Sequence, residues 1–232
     1  MATSAMLVAK PFQSIANGLS PLTGFSVNDS KVVILHTANG SNNKMEQTME
    51  QINFLKKNTG NLMLLHAGNL ANCPFPKMKY DITLPEEHRQ VIGIDDHRII
   101  NKGNIRIGIV YAAKGEKNVV KRLNELGTRL KKSNNCQLVI CISQLGFNNN
   151  AEMDDLKLAA ASTNLDLILG GDPLNSCSRP SILKNIDKCE VIINSHTGKT
   201  VDFGNIVLGF DDKGNKNFFA INNLRKRSDR IS

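Results

Sequence analysis

The sequence predicts an α/β domain in which two β-sheets pack face to face with helices on the outside. Two observations lead there. Up to Gly170, fully apolar or β-branched runs of strand length alternate with amphipathic segments of helix length. Beyond it, strand-like runs follow one another, separated by Gly and Asp turns. Alternation followed by a run of strands is the pattern of layered sheets with flanking helices. With 232 residues, 41% hydrophobic and 22% charged, the chain is long enough to bury the core such a fold needs.

The elements follow in order. Residues 31 to 37 (KVVILHT) read as a buried strand. From Lys44 to Lys57, Met45, Met49, Ile52 and Leu55 fall at helical spacing. Asn61 to His66 is a second strand, and a strand–helix–strand unit of this length makes a right-handed crossover, so the first two strands should be parallel. A Pro-rich turn and a short extended piece from Tyr80 to Leu84 come next. Residues 97–101 and 104–112, joined by Lys102-Gly103, form a hairpin. A helix is expected over 117–132, a fully apolar strand in CQLVICIS, a helix over 152–162 and a strand over 166–169. CEVIINS, GNIVLGF and KNFFAI read as an antiparallel β-meander.

The domain is expected to span 31–222, after a leader (1–30) and before a basic tail (223–232). The Ser/Ala-rich leader is similar to the back end of an export signal without its charged beginning, the alternative being a plain flexible leader. A periplasmic or exported location follows from the first, a cytoplasmic one from the second. No stretch has the roughly 18 apolar residues of a membrane span.

The net charge of +8 favours an anionic partner in general. Lys and Arg are scattered, however, and no recognition motif accompanies them, so specific nucleic-acid binding is not expected. Five cysteines without a Cys-x-x-Cys pair indicate neither a disulfide framework nor a zinc knuckle. Cys136 and Cys141, inside an apolar run, read as small buried hydrophobes.

Five segments, each a strand end followed by a polar loop, carry a resemblance. Ile34-Leu-His-Thr-Ala-Asn-Gly-Ser41, Leu64-Leu-His-Ala-Gly-Asn69, Tyr80 to His88, Ser143-Gln-Leu-Gly146 and Asp166-Leu-Ile-Leu-Gly-Gly-Asp-Pro-Leu174 occur in this order. They resemble the motifs of the 5'-nucleotidase branch of the calcineurin-like metallophosphoesterases. The resemblance implies a four-layer αββα sandwich of two mixed sheets. It also implies a centre in which two divalent metals, bridged by an Asp and a hydroxide, hydrolyse a phosphoric ester.

The ligand positions depart from that pattern. Asn39 stands where the family has its first Asp, Ser41 where it has a His, and Asn69 where it has the bridging Asp. Gln144 replaces a His, while Asp172 and Leu174 replace the final His pair. Amides are neutral, weak ligands and Leu174 cannot ligate, so no metal pair and no other cofactor are expected. A divalent pair belongs here only if the resemblance misleads about the lost ligands. The resemblance therefore implies a catalytically inactive homologue whose old cleft binds a small anionic ligand or a protein partner.

The rival reading is a phosphoric-ester hydrolase with a rebuilt site made from His66, Glu86, Glu87, His88 and Asp172. It requires those side chains to converge. His36 reads as structural. Ser195-His196 with Asp202 is a weak triad pattern because no nucleophile elbow precedes it. Gly170-Gly171 is not a phosphate loop, since no Lys-Ser/Thr or helix start follows.

Overall fold

The computed structural model describes residues 30–39, 45–83, 97–148, 152–172, 174–177, 179–195 and 201–225. Twelve strands and three α-helices lie within them: β1 (Lys31–Thr37), α1 (Met45–Asn58), β2 (Leu62–His66), β3 (Ile82–Thr83), β4 (His97–Lys102), β5 (Ile105–Ala112), α2 (Val119–Lys132), β6 (Leu138–Ser143), α3 (Asp155–Ala161), β7 (Leu167–Gly170), β8 (Ser181–Lys184), β9 (Glu190–Ser195), β10 (Val201–Phe210), β11 (Lys216–Ile221) and β12 (Leu224–Arg225). The leader through residue 29, Ser41, Glu86, Glu87, His88, His196 and residues 226–232 lie outside the described residues.

Alternation along the strands builds the layers. In β1, Val32 and Ile34 point into the space between the sheets while Val33 and Leu35 point outward, as the two-residue period of a strand requires. The central core joins them to Met63, Leu65, Ile206 and Leu208 on one side and to Ile107, Ile109, Ile140, Ile142, Leu167 and Ile192 on the other. Ile52 and Leu55 of α1, with Phe75 and Met78, cover the outside of the first sheet. Val119, Leu123, Leu126 and Leu130 of α2, with Leu158 and Ala159 of α3, cover the outside of the second. This is the four-layer αββα sandwich of mixed sheets. Strands covered on both faces must be apolar on both, which is why β1, β2 and β6 are near-continuous hydrophobic runs.

The first sheet runs β11-β10-β1-β2-β3, with β12 also on β10, and the second runs β4-β5-β6-β7-β9-β8. Strands β1 and β2 are parallel, as the crossover predicts, with Thr37 opposite His66. Strands β5, β6, β7 and β9 are mutually parallel, and β4 returns against β5 as the expected hairpin. All these parallel strands therefore end, at their carboxyl ends, in adjacent loops.

The C-terminal third is not a three-strand meander. β9 lies in the second sheet, parallel to β7, whereas β10 lies in the first, antiparallel to β1. β9 is buried from Val191 to Ser195, so it needs an interior place in a covered sheet. Only β10 and β11 form the predicted antiparallel neighbours. A short strand the sequence reading missed, β8, pairs with β9 at the sheet edge, and its alternating half-exposed pattern suits that position. Helix α3 starts at Asp155, three residues later than expected, because Asp154 caps it by accepting from the Lys157 N–H at 2.9 Å.

Candidate functional site at the strand ends

Four strand ends meet at one edge of the sandwich. After β1 comes Ala38-Asn39, after β2 Ala67-Gly68-Asn69, after β6 Gln144, and after β7 Gly171-Asp172. Backbone bonds hold neighbours within each sheet: Ala67 N–H donates to Thr37 O at 2.9 Å and Gly171 N–H to Ser143 O at 2.9 Å. Carboxyl-end loops of this kind are where α/β proteins place their sites.

Side-chain amides then join the sheets. Asn39 Oδ1 accepts from the Asn69 backbone N–H at 2.7 Å, and Asn39 Nδ2 points at Gly171 O, 3.4 Å away. Gln144 Nε2 donates to Ala67 O at 2.5 Å. Loops of the first sheet (39, 67, 69) and of the second (144, 171) are thus tied directly. The approach is close enough to exclude side chains at two positions. A Cβ on Gly171 would fall on the Ala67 carbonyl, and one on Gly68 would overlap the Asn39 amide.

The remaining positions follow the same local logic. Asn69 Oδ1 accepts from Ala71 N–H at 3.0 Å, closing its own turn. Asp172, 6% exposed, accepts from Leu174 N–H at 2.8 Å and from Asn175 Nδ2 at 3.4 Å. Leu174 is 81% exposed beside it. Asn69 Nδ2 and Gln144 Oε1 keep hydrogen-bonding capacity that no described residue uses.

These residues do not fit a divalent metal pair. Among the described residues the donor set has one carboxylate, Asp172, whose oxygens serve its own turn, and amides whose oxygens largely serve the backbone. Two nearby cations need bridging negative charge, which neutral amides cannot provide. Among the described residues, no group of three or more His, Cys, Asp or Glu is placed to hold a metal ion.

The rebuilt-site residues within the described part are each used locally. His66 is fully buried; its Nδ1 lies 2.8 Å from Thr37 Oγ1 and its Nε2 lies 3.2 Å from Asn69 O. Burial, opposed by the Asn69 carbonyl, holds its pKa below the ordinary imidazole value. A neutral ring must donate from Nε2 to that carbonyl, which leaves Nδ1 to accept from Thr37. His66 therefore ties the ends of β1 and β2 together. Thr37 also lies 3.1 Å from Tyr80 Oη. His36, fully buried, sits 2.9 Å from Asn194 Nδ2 through its Nε2, where Gly204 leaves it room.

A buried cluster escaped the sequence reading. Asp155, with no exposed surface, accepts from Ser143 Oγ at 2.5 Å and from Ser195 Oγ at 2.6 Å, joining α3 to the ends of β6 and β9. Burial pushes its carboxyl up to about 6; the two hydroxyls pull it down, and Asp154 and Asp172 add a little upward push. The Asp154-Asp155 pair at a helix start was the available signal, and it pointed to a cap rather than to a buried carboxylate.

Solved structures share this fold. The 5'-nucleotidase precursor of Thermus thermophilus superposes with a TM-score of 0.59 at 13% identity, over 84% of this chain and 54% of that one. The NAD nucleotidase of Haemophilus influenzae gives 0.60 at 13% identity, over 84% and 50%. The calcineurin-like phosphoesterase YfkN of Bacillus subtilis gives 0.55 at 12% identity, over 84% and 91%. The chain thus has the calcineurin-like phosphoesterase fold and spans about half the length of the first two proteins. No protein-family model matches the sequence, and no curated protein matches it. Among the described residues, no helix is long and apolar enough to cross a membrane.

Proposed function

We propose that this protein is a catalytically inactive relative of the 5'-nucleotidase-type phosphoesterases, in which the strand-end cleft binds rather than turns over. The observation that carries this reading is the amide bridge between the sheets. Asn39 reaches across to Gly171 and Gln144 to Ala67, while Asn39 also holds Asn69 in its own sheet, where a two-metal enzyme needs carboxylates and imidazoles. Asn69 Nδ2 and Gln144 Oε1 offer a donor and an acceptor at the rim, with exposed Leu174 nearby. A small anionic ligand or a protein partner is the occupant such a rim suits, and the positive net charge favours the anion.

The test is turnover of nucleoside monophosphates and of a generic phosphodiester by the full chain in Mn²⁺ and in Zn²⁺. The expected result is no hydrolysis above the buffer rate. Hydrolysis that disappears in Asn69→Ala overturns the inactive reading. Hydrolysis that survives it and disappears in His66→Gln or Glu87→Gln establishes the rebuilt hydrolase instead.

A further inference from the structure

A half-open groove of about 490 Å³ lies beside the first half of β2, and none of the strand-end amides lines it. Three lysines reach it from three separate elements: Lys56 from the last turn of α1, Lys79 from the segment before β3, and Lys102 from the end of β4. Among the described residues Asp81 is the one carboxylate in its wall, and both of its oxygens are engaged. Oδ2 accepts from Leu64 N–H at 2.8 Å and Oδ1 from Lys102 Nζ at 2.8 Å. The Asp81 N–H in turn donates to Leu64 O at 2.9 Å, so this residue is stitched to β2 through backbone and side chain and holds Lys102 in place. Lys56 and Lys79 make no ion pair among the described residues. Among the described residues of this wall, three lysines stand against one carboxylate.

Like charges gathered at one cavity repel one another, and an anion that enters relieves the repulsion. Lysine ammonium groups bind phosphate as point charges and need no fixed fork geometry. Thr59 also lines the same wall. The volume falls in the range of small-molecule sites. We infer that this lysine-lined pocket is a binding site for a small phosphate dianion, either inorganic phosphate or the head of a phosphate monoester. The site stands whether or not the cleft does chemistry.

Calorimetric titration of the full chain at low ionic strength with inorganic phosphate, and separately with glycerol 3-phosphate, tests it. Saturable binding of one anion per chain is expected, weakened at least about tenfold in Lys56→Gln/Lys79→Gln. The control is Lys121→Gln/Lys132→Gln, in a separate cavity on α2, and its affinity should stay within about twofold of the unmodified chain. The tighter of the two anions identifies the source. Absence of saturable binding by either anion overturns the inference, as does an equal loss in both double variants, which marks diffuse surface charge.

Discussion

The side-chain oxygen of Asn39 lies 2.7 Å from the backbone nitrogen of Asn69, so the second residue after β1 satisfies the turn that follows β2. The same amide directs its NH₂ group at Gly171 O in the other sheet. An amide can do both because it carries an acceptor and a donor. A carboxylate at this position keeps the first bond and sets an oxygen against an oxygen in the second.

Asn39→Asp is therefore expected to destabilise the protein rather than pass unnoticed. Asn39→Ala should cost about 1–3 kcal/mol, because it leaves a largely buried N–H and C=O without their partner. Urea unfolding of both variants checks this. An Asn39→Asp variant as stable as the parent shows that the second bond contributes nothing.

Gly171→Ala probes the closeness of the two sheets. The added methyl lands on the Ala67 carbonyl and near Gln144 Nε2, so the strand ends must separate, at a cost of about 1–3 kcal/mol or more. Gly115→Ala is the comparison, since Gly115 has φ +77° but nothing within 4 Å of the added carbon. Its cost should be the left-handed penalty alone, about 1–2 kcal/mol. Loosening of the strand ends should accompany the first substitution only, seen as faster hydrogen exchange at the Gly171 and Asn69 amides, which donate to Ser143 O and Asn39 Oδ1.

Asp155 makes stability depend on pH with a definite sign. Its carboxyl is raised from 3.8 to about 6 in the folded state, so between those values the native protein holds a proton that the unfolded chain has released. Stability therefore falls as pH rises through that window, by about 3 kcal/mol in all. Asp155→Asn removes this slope while keeping one acceptor and one donor for Ser143 and Ser195. Relative to the parent, the variant should gain about 3 kcal/mol between about pH 4 and about pH 7 in urea unfolding. A constant difference across that range contradicts the assignment.

Much of the fold is legible in the sequence because its strands are buried on both faces. KVVILHT and CQLVICIS have no alternation to misread, and the helix between the first two strands forces them parallel. What is not legible is which sheet takes a strand. CEVIINS and GNIVLGF look alike as apolar runs, yet β9 goes to the second sheet and β10 to the first, a choice made by packing over the whole core. SILK is too short and too exposed to register as a strand until β9 is present to pair with it.

The candidate site divides in the same way. Positions 39, 69, 144 and 172, where the sequence departs from the motifs it resembles, are visible as single residues in strand-end loops. Their bonds are not, because Asn39 and Gly171 are 132 residues apart and Gln144 and Ala67 are 77 apart. The sequence suggests amides lining an open cleft, whereas the structure uses most of them to tie its walls together. Asp155 stayed hidden for a related reason, since its two serine partners come from strands on either side of α3.

Amide bonds between the sheets stand where a metal pair would need carboxylates and imidazoles, so the chain is expected to hold no metal. Metal stoichiometry tests it most directly: the full chain is equilibrated with Mn²⁺ and with Zn²⁺, freed of unbound ions and analysed for metal per chain. The expected content is indistinguishable from that of a metal-free control protein and unchanged in Asn69→Ala. One or two tightly held ions per chain, lost in Asn69→Ala, contradict it.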